Sequence, residues 1–183
     1  PGERPTRLPM GMGAMSSDAI HRSAIVSPDG RYRYRLDRRW ALSQGVRMAF
    51  VMLNPSTADG MVDDPTIRRC IGFAQREGAA SLQVVNLFAY RATDPKFLAN
   101  AKRKGVDIAG EFNDDYLADV LHTAAIVVAA WGAHKEASSR AGHLADMAAA
   151  SGARLMCLGT TKNGSPRHPL YVRANTPLME WTP

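Results

Sequence analysis

The sequence predicts an α/β fold, a three-layer α/β/α sandwich with a central four-stranded parallel sheet plus an N-terminal β-hairpin. Two observations carry that prediction. Four short apolar runs, Met48 to Leu53, Leu82 to Leu87, Ala124 to Trp131 and Arg154 to Leu158, are nearly continuous rather than alternating, as strands covered on both faces require. Segments with helical periodicity separate them, which gives a βαβαβαβ order and places ligands beyond the carboxyl ends of the strands. A chain of 183 residues can bury one sizeable core, so residues 18–183 are expected to form a single domain.

Residues 1–17 are rich in Pro, Gly, Met and Arg without periodicity and read as a disordered leader. Ser23 to Val26 and Arg31 to Leu36 then form two strands around the turn Ser27-Pro28-Asp29-Gly30. Alternating Tyr and Arg puts rings on one face and cations on the other, the pattern of a solvated edge hairpin or of a nucleic-acid contact surface. Thr66 to Glu77 places Ile67, Cys70, Ile71 and Ala74 on one stripe and Arg68, Arg69, Gln75 and Arg76 elsewhere, with Gly78 as its stop. Asp107 to Leu121 and Ser138 to Ala150 supply the other crossover helices.

Composition narrows the function classes. An excess of 23 Lys and Arg over 17 Asp and Glu leaves a net charge of +6, which permits a polyanionic partner without requiring one. The two cysteines, Cys70 and Cys157, read as buried small hydrophobes in a reducing compartment. No apolar stretch approaches the roughly 20 residues a bilayer demands, and the amino end lacks a basic-then-apolar secretion pattern. A cytoplasmic location and no membrane partner are expected.

Each apolar run ends in a polar cluster. The first is Leu53-Asn54-Pro55-Ser56, followed by Thr57-Ala58-Asp59. Val85-Asn86-Leu87-Phe88-Ala89-Tyr90-Arg91-Ala92-Thr93-Asp94-Pro95 forms the second, Trp131-Gly132-Ala133-His134 the third and Arg167-His168-Pro169-Leu170 the fourth. Taken singly these are ordinary turn material: Asn54 could cap a turn, Asn86 could satisfy backbone groups, and His168 could be a packed loop histidine. Their ordered recurrence at four strand ends points to one shared site. In that arrangement, over roughly residues 45–173, the chain resembles the uracil-DNA glycosylase superfamily and, in its neighbourhood, the bacterial family called domain of unknown function 1643.

The resemblance implies a DNA glycosylase that hydrolyses the N-glycosidic bond of a flipped pyrimidine and leaves an abasic site, with DNA as partner and no cofactor; a monofunctional mechanism is expected because no lysine falls in Leu53-Asn54-Pro55-Ser56. It assigns water positioning to Asn54, base reading to Asn86, and donation to the departing base to His168. Pro55, Ser56, Met61, Val62 and Phe88 would line the base pocket, and Arg91, Lys162, Arg167 and Arg173 would hold phosphates. Pro169, Leu170 and Tyr171 would press into the duplex where the base has left. Lys162 is also the candidate for a Schiff base, should a lyase step exist. The superfamily commonly places a stacking aromatic after the first cluster, whereas Asp59-Gly60-Met61-Val62-Asp63-Asp64 has none, which suits a larger, modified base. The cysteines of its iron-sulfur branches are likewise missing, so no cluster is expected.

Three carboxylates follow the first cluster. Asp59 is the candidate general base, Asp64 has the alternative role of capping a helix that begins at Pro65, and a divalent cation is a third reading of the group. His134, near the third strand end, is a possible second polar group in the pocket, while His122 and His143 fall in helical stretches. His143 with Asp146 lacks a third ligand and is poor ground for zinc. Two other functions remain open: a nucleoside or nucleotide hydrolase acting on small substrates, and a nucleic-acid binding module without catalysis.

Overall fold

In the computed structural model, residues 6–7, 20–40, 45–56 and 60–183 are described. One mixed sheet organises the chain, in the spatial order β1 (Thr6–Arg7), β2 (His21–Val26), β3 (Arg33–Arg39), β5 (Ser81–Asn86), β4 (Arg47–Met52), β6 (Ile126–Ala129), β7 (Leu155–Cys157), β8 (Met179–Glu180). The four expected parallel strands are present as neighbours, β5-β4-β6-β7. They are the middle of a larger mixed sheet, which corrects the expectation of a four-stranded parallel one. Antiparallel β3 and β8 extend it at the two sides.

The N-terminal hairpin accounts for most of the difference. Its turn forms as expected, with Gly30 N–H donating to the Ser27 carbonyl at 2.9 Å and Gly30 at φ +73°, where a side chain would be strained. The hairpin is no solvated edge: β3 pairs with β5, and Thr6 and Arg7, inside the expected leader, pair with Val26 and Ile25. A register shift between Ile25 and Val26 interrupts the ladder beside the buried Arg33, while Arg38 is buried on the Leu36 face by plain alternation. Arg38 is tolerated there because its Nε donates to Asp63 Oδ1 at 2.7 Å and its Nη1 to the Asp37 carbonyl at 2.8 Å.

Helix α1 (Pro65–Arg76) begins where Asp64 Oδ1 accepts the Ile67 N–H at 2.8 Å, with Pro65 in the first turn, and ends ahead of Gly78 at φ +71°. The other helices are α2 (Pro95–Arg103), α3 (Asn113–Thr123) and α4 (Ser138–Ser151). Strand alternation sorts the core into two layers. Met48, Phe50, Met52, Leu82, Val84, Val128 and Ala130 pack with α1, while Ala49, Val51, Val85, Leu87, Val127 and Ala129 pack with α2, α3 and α4. Right-handed crossovers explain the split. The step from β4 to β5 moves one way along the sheet and the steps to β6 and β7 move the other way, so their helices lie on opposite faces. The direction reverses between β4 and β6, and the crevice beyond their carboxyl ends is the favoured ligand position of such sheets. No helix of the described residues is long and apolar enough to cross a membrane.

Candidate functional site

The first two clusters are zipped together by the backbone. Beyond the last ladder pair, Leu87 N–H donates to the Met52 carbonyl at 2.9 Å, Phe88 to Leu53 at 3.0 Å and Ala92 to Pro55 at 3.0 Å. Asn54 adds a side-chain link, its Nδ2 donating to the Ala92 carbonyl at 2.8 Å and the Pro55 carbonyl at 3.1 Å. Two carbonyl acceptors fix the amide's orientation, since only the NH₂ end can donate to them. Asn54 Oδ1 is left with no partner among the described residues. Ser56 then donates to Asp64 Oδ2 at 2.6 Å, which ties the end of the loop to the cap of α1.

Asn86 is the last residue of β5 and only 1% exposed, yet neither Oδ1 nor Nδ2 of its side chain has a hydrogen-bond partner among the described residues. Alternation places that amide on the α1 side with Leu82 and Val84. Closing a polar group away from water without a partner costs about 1–3 kcal/mol, and here two atoms of one side chain are so placed. The backbone around it is well held: Asn113 Nδ2, at the start of α3, donates to the Asn86 carbonyl at 3.0 Å and the Leu87 carbonyl at 3.1 Å, and Arg140 Nε of α4 reaches the Leu87 carbonyl at 3.2 Å. Asn113 and Arg140 were missed in the sequence. A helix start that reads Asn-Asp-Asp announces capping, and nothing in its spacing says that the first residue reaches across to β5.

His168 opens a single turn of 3-10 helix at Pro169–Tyr171, its Nδ1 accepting the Leu170 N–H at 3.3 Å. In the neutral ring the proton therefore sits on Nε2, which is a donor with no partner among the described residues. Burial lowers the pKa of His168 below the usual 6.5, and the Asp64 carboxylate pulls weakly the other way. At neutral pH the ring is an uncharged Nε2–H donor on the α1 side of the rim. The third cluster meets the fourth here: Gly132 N–H donates to the Pro166 carbonyl at 3.0 Å, and a Cβ at Gly132, whose φ is +76°, would stand 3.5 Å from the His168 Cβ. Arg69 of α1 donates to the Pro169 carbonyl at 3.4 Å and also to the Val172 carbonyl.

The remaining candidates divide sharply. Phe88 is buried on the α2–α4 side, the face opposite the Asn86 amide, and Pro169 is buried in the 3-10 turn beside α1. Phe88 packs in the core, and of the three residues expected to press into a duplex Leu170 and Tyr171 are exposed, to 40% and 80%. Met61 and Val62 are largely exposed. Lys162, Arg167 and Arg173 are exposed as well, with Arg167 Nε donating to the Thr160 carbonyl at 3.0 Å. Arg91 Nη1 holds the Gly30 carbonyl at 3.2 Å. Asp59 lies outside the described residues. Asp64 takes the capping role, and Asp63 is engaged by Arg38 and, at 3.5 Å, by Arg22. His134 repeats the His168 pattern, with Nδ1 accepting the Glu136 N–H at 3.3 Å, whereas His143 pairs with Asp114 at 2.8 Å on the helical layer. Among the described residues no three His, Cys, Asp or Glu side chains are grouped as a metal site would need. Both cysteines are buried and free, and burial pushes each thiol up, so neither is a ready thiolate.

The family model described as protein of unknown function (DUF1643) matches residues 33–170, which is most of the chain. The chain belongs to that family. The DUF1643 span begins at the buried Arg33 of β3 and closes at Leu170, so it holds Asn54, Asn86, Asn113, Gly132 and His168 and omits Tyr171 and Arg173. No curated protein and no solved structure matches the chain.

Proposed function

We propose that this DUF1643 chain is a DNA glycosylase of the uracil-DNA glycosylase type, with a three-layer fold, that hydrolyses the N-glycosidic bond of an extruded pyrimidine and leaves an abasic site. The observation that carries the reading is the Asn86 amide: a buried acceptor and donor side by side, both unpartnered, match the adjacent donor and acceptor of a pyrimidine edge. The amide atoms are closed off from solvent, so a base reaches them only after covering side chains part. That opening step belongs to base extrusion and favours substrates that are easily unstacked.

The chemistry assigned to the rim is a displacement by water at the sugar C1′. Asn54 Oδ1 orients the water, its oxygen forms the new bond to C1′, and the glycosidic electron pair departs with the base. His168 Nε2–H donates to the base oxygen on which charge develops, and the proton released by the water ends on the free base. A preorganised donor of this kind is worth about 3 kcal/mol, or roughly a hundredfold in rate. The neutral, Nε2-protonated state of His168 supports that role, because a donor that carries no charge of its own can be buried without a large desolvation cost.

The test is incubation of excess protein with DNA containing uracil, mismatches or bulky modified cytosines, followed by alkali. Strand breaks at one class of base, reduced about a hundredfold by His168→Ala, are the expected result. Intact strands with every substrate overturn the reading. Borohydride trapping on abasic DNA is expected to yield no adduct, and an adduct at Lys162 would replace the monofunctional scheme with a lyase.

A further inference from the structure

A cavity of about 670 Å³ lies beside the rim, between the hairpin turn, the exit of β5 and α2. The charged side chains in its wall are Arg31, Arg91 and Lys104, with no carboxylate among its lining residues, and Tyr90 and Phe97 contribute rings. Ser56, from the loop that carries Asn54, forms part of the same wall, so cavity and rim adjoin. Phe97 is 57% exposed, an aromatic ring held in water at the mouth of a cationic cleft. The Arg31 guanidinium lies 6.0 Å from the ring centres of both Tyr32 and Tyr90 and only 4.0 Å from its nearest carboxylate, Asp29. Neither Arg91 nor Lys104 has a carboxylate partner among the described residues. The cleft is nevertheless built firmly: Arg91 N–H donates to the Arg31 carbonyl at 2.9 Å, and its side chain holds Gly30 at 3.2 Å.

Arg31, Arg91 and Lys104 line one cleft that has no carboxylate in its wall, the only ion pair among them in the described residues being the exposed 4.0 Å contact of Arg31 with Asp29, and an exposed ring beside them gains nothing from the fold. A ligand with repeating negative charge and flat faces suits both, which describes a nucleic-acid strand with its bases unpaired. We propose that this cleft holds the single-stranded DNA flanking the extruded nucleotide, with phosphates on Arg31, Arg91 and Lys104 and an adjacent base stacked on Phe97. The identity of the strand rests on the glycosylase reading, while the binding chemistry stands on the cleft itself. The rim reads one nucleotide and the cleft fixes the strand that presents it.

The experiment is a fluorescence-anisotropy titration of the full chain with a labelled oligothymidylate of about 12 nucleotides over a range of salt, a length within the site size of single-strand binding folds. Removing two phosphate contacts with Arg31→Gln and Lys104→Gln is expected to lower the slope of log affinity against log salt by about 1.4. Phe97→Ala is expected to weaken binding about tenfold and leave the slope as it was. All three side chains are well exposed, and equal melting temperatures check the fold. Wild-type affinity and slope in folded variants overturn the proposal, as does thymidine monophosphate competing as well as the oligomer, which would make the cleft a free-nucleotide site. Base release by the unaltered protein is scored separately: if it is absent while the variants lose binding, the glycosylase reading falls and the cleft stands. If base release is present and the variants bind like wild type, the cleft falls.

Discussion

The two sides of the β5 exit make opposite use of polar side chains. On the helical side, Asn113 and Arg140 spend their donors on the Asn86 and Leu87 carbonyls, and Asp114 accepts from both Arg140 and His143. On the α1 side the Asn86 amide and His168 Nε2, and in the loop after β4 Asn54 Oδ1, have no partner among the described residues. Equal burial thus hides unequal roles: Asn113 is 0% exposed and Asn86 1% exposed, but one holds the backbone and the other holds nothing. Asn113 Oδ1 also lacks a partner among the described residues, so the contrast lies in the donors: Asn113 uses both N–H groups of its amide on the backbone, and Asn86 uses none of its side-chain atoms.

Substituting each asparagine separates the two sides. Asn86→Leu, which keeps the side-chain volume and removes the polar atoms, is expected to reduce base release about a hundredfold through lost reading of the base edge, with no fall in melting temperature, because the deleted groups made no bonds among the described residues. A destabilised Asn86→Leu would break the comparison by showing that the amide is structural after all. Asn113→Ala has the reverse signature. The Asn86 carbonyl loses this donor and the Leu87 carbonyl keeps only Arg140 Nε, and thermal or urea unfolding should show a loss of about 2 kcal/mol.

Acid titration sharpens the contrast with smaller effects. The folded pKa of His168 is lowered, so between that value and 6.5 the unfolded chain binds more protons than the native one. The stability contribution is whole above pH 6.5 and is lost as pH falls through the folded pKa; His168→Gln should flatten that part of a urea-midpoint profile. Asp114 titrates on the other side of the strand. Burial raises its pKa, but the Arg140 and His143 bonds and charges outweigh that and leave it below 3.8. Its contribution is therefore present above pH 3.8 and disappears below it. Asp114→Asn should cost well under 1 kcal/mol at neutral pH, given a side chain 46% exposed, and nothing once the carboxylate is protonated.

Much of the frame was legible because it rests on local chemistry. The four apolar runs became four adjacent parallel strands, and Asp64-Pro65 with Gly78 marked both ends of α1. Helix α2 was overlooked although Asp94-Pro95 carries the same start signal, since its polar sequence buries little beyond Leu98 and Ala101. The hairpin was misplaced because alternation tells which residues share a face and not what covers that face. Arg33 ended inside beside a register shift and Arg38 beside a distant carboxylate, both features of pairing between segments. At the site, the clusters at the strand ends could be named from the chain, while the unmet bonding of Asn86 and the latch from Asn113 exist only in three dimensions.

One carboxylate, at Asp64, closes the first turn of a helix, moors the loop ahead of it through Ser56, and bears on the proton of His168. Fraying of that single turn would slacken the mooring and alter the ring's basicity together, long before the protein melted. The rim proposed to be catalytic thus depends on a few residues at a helix tip.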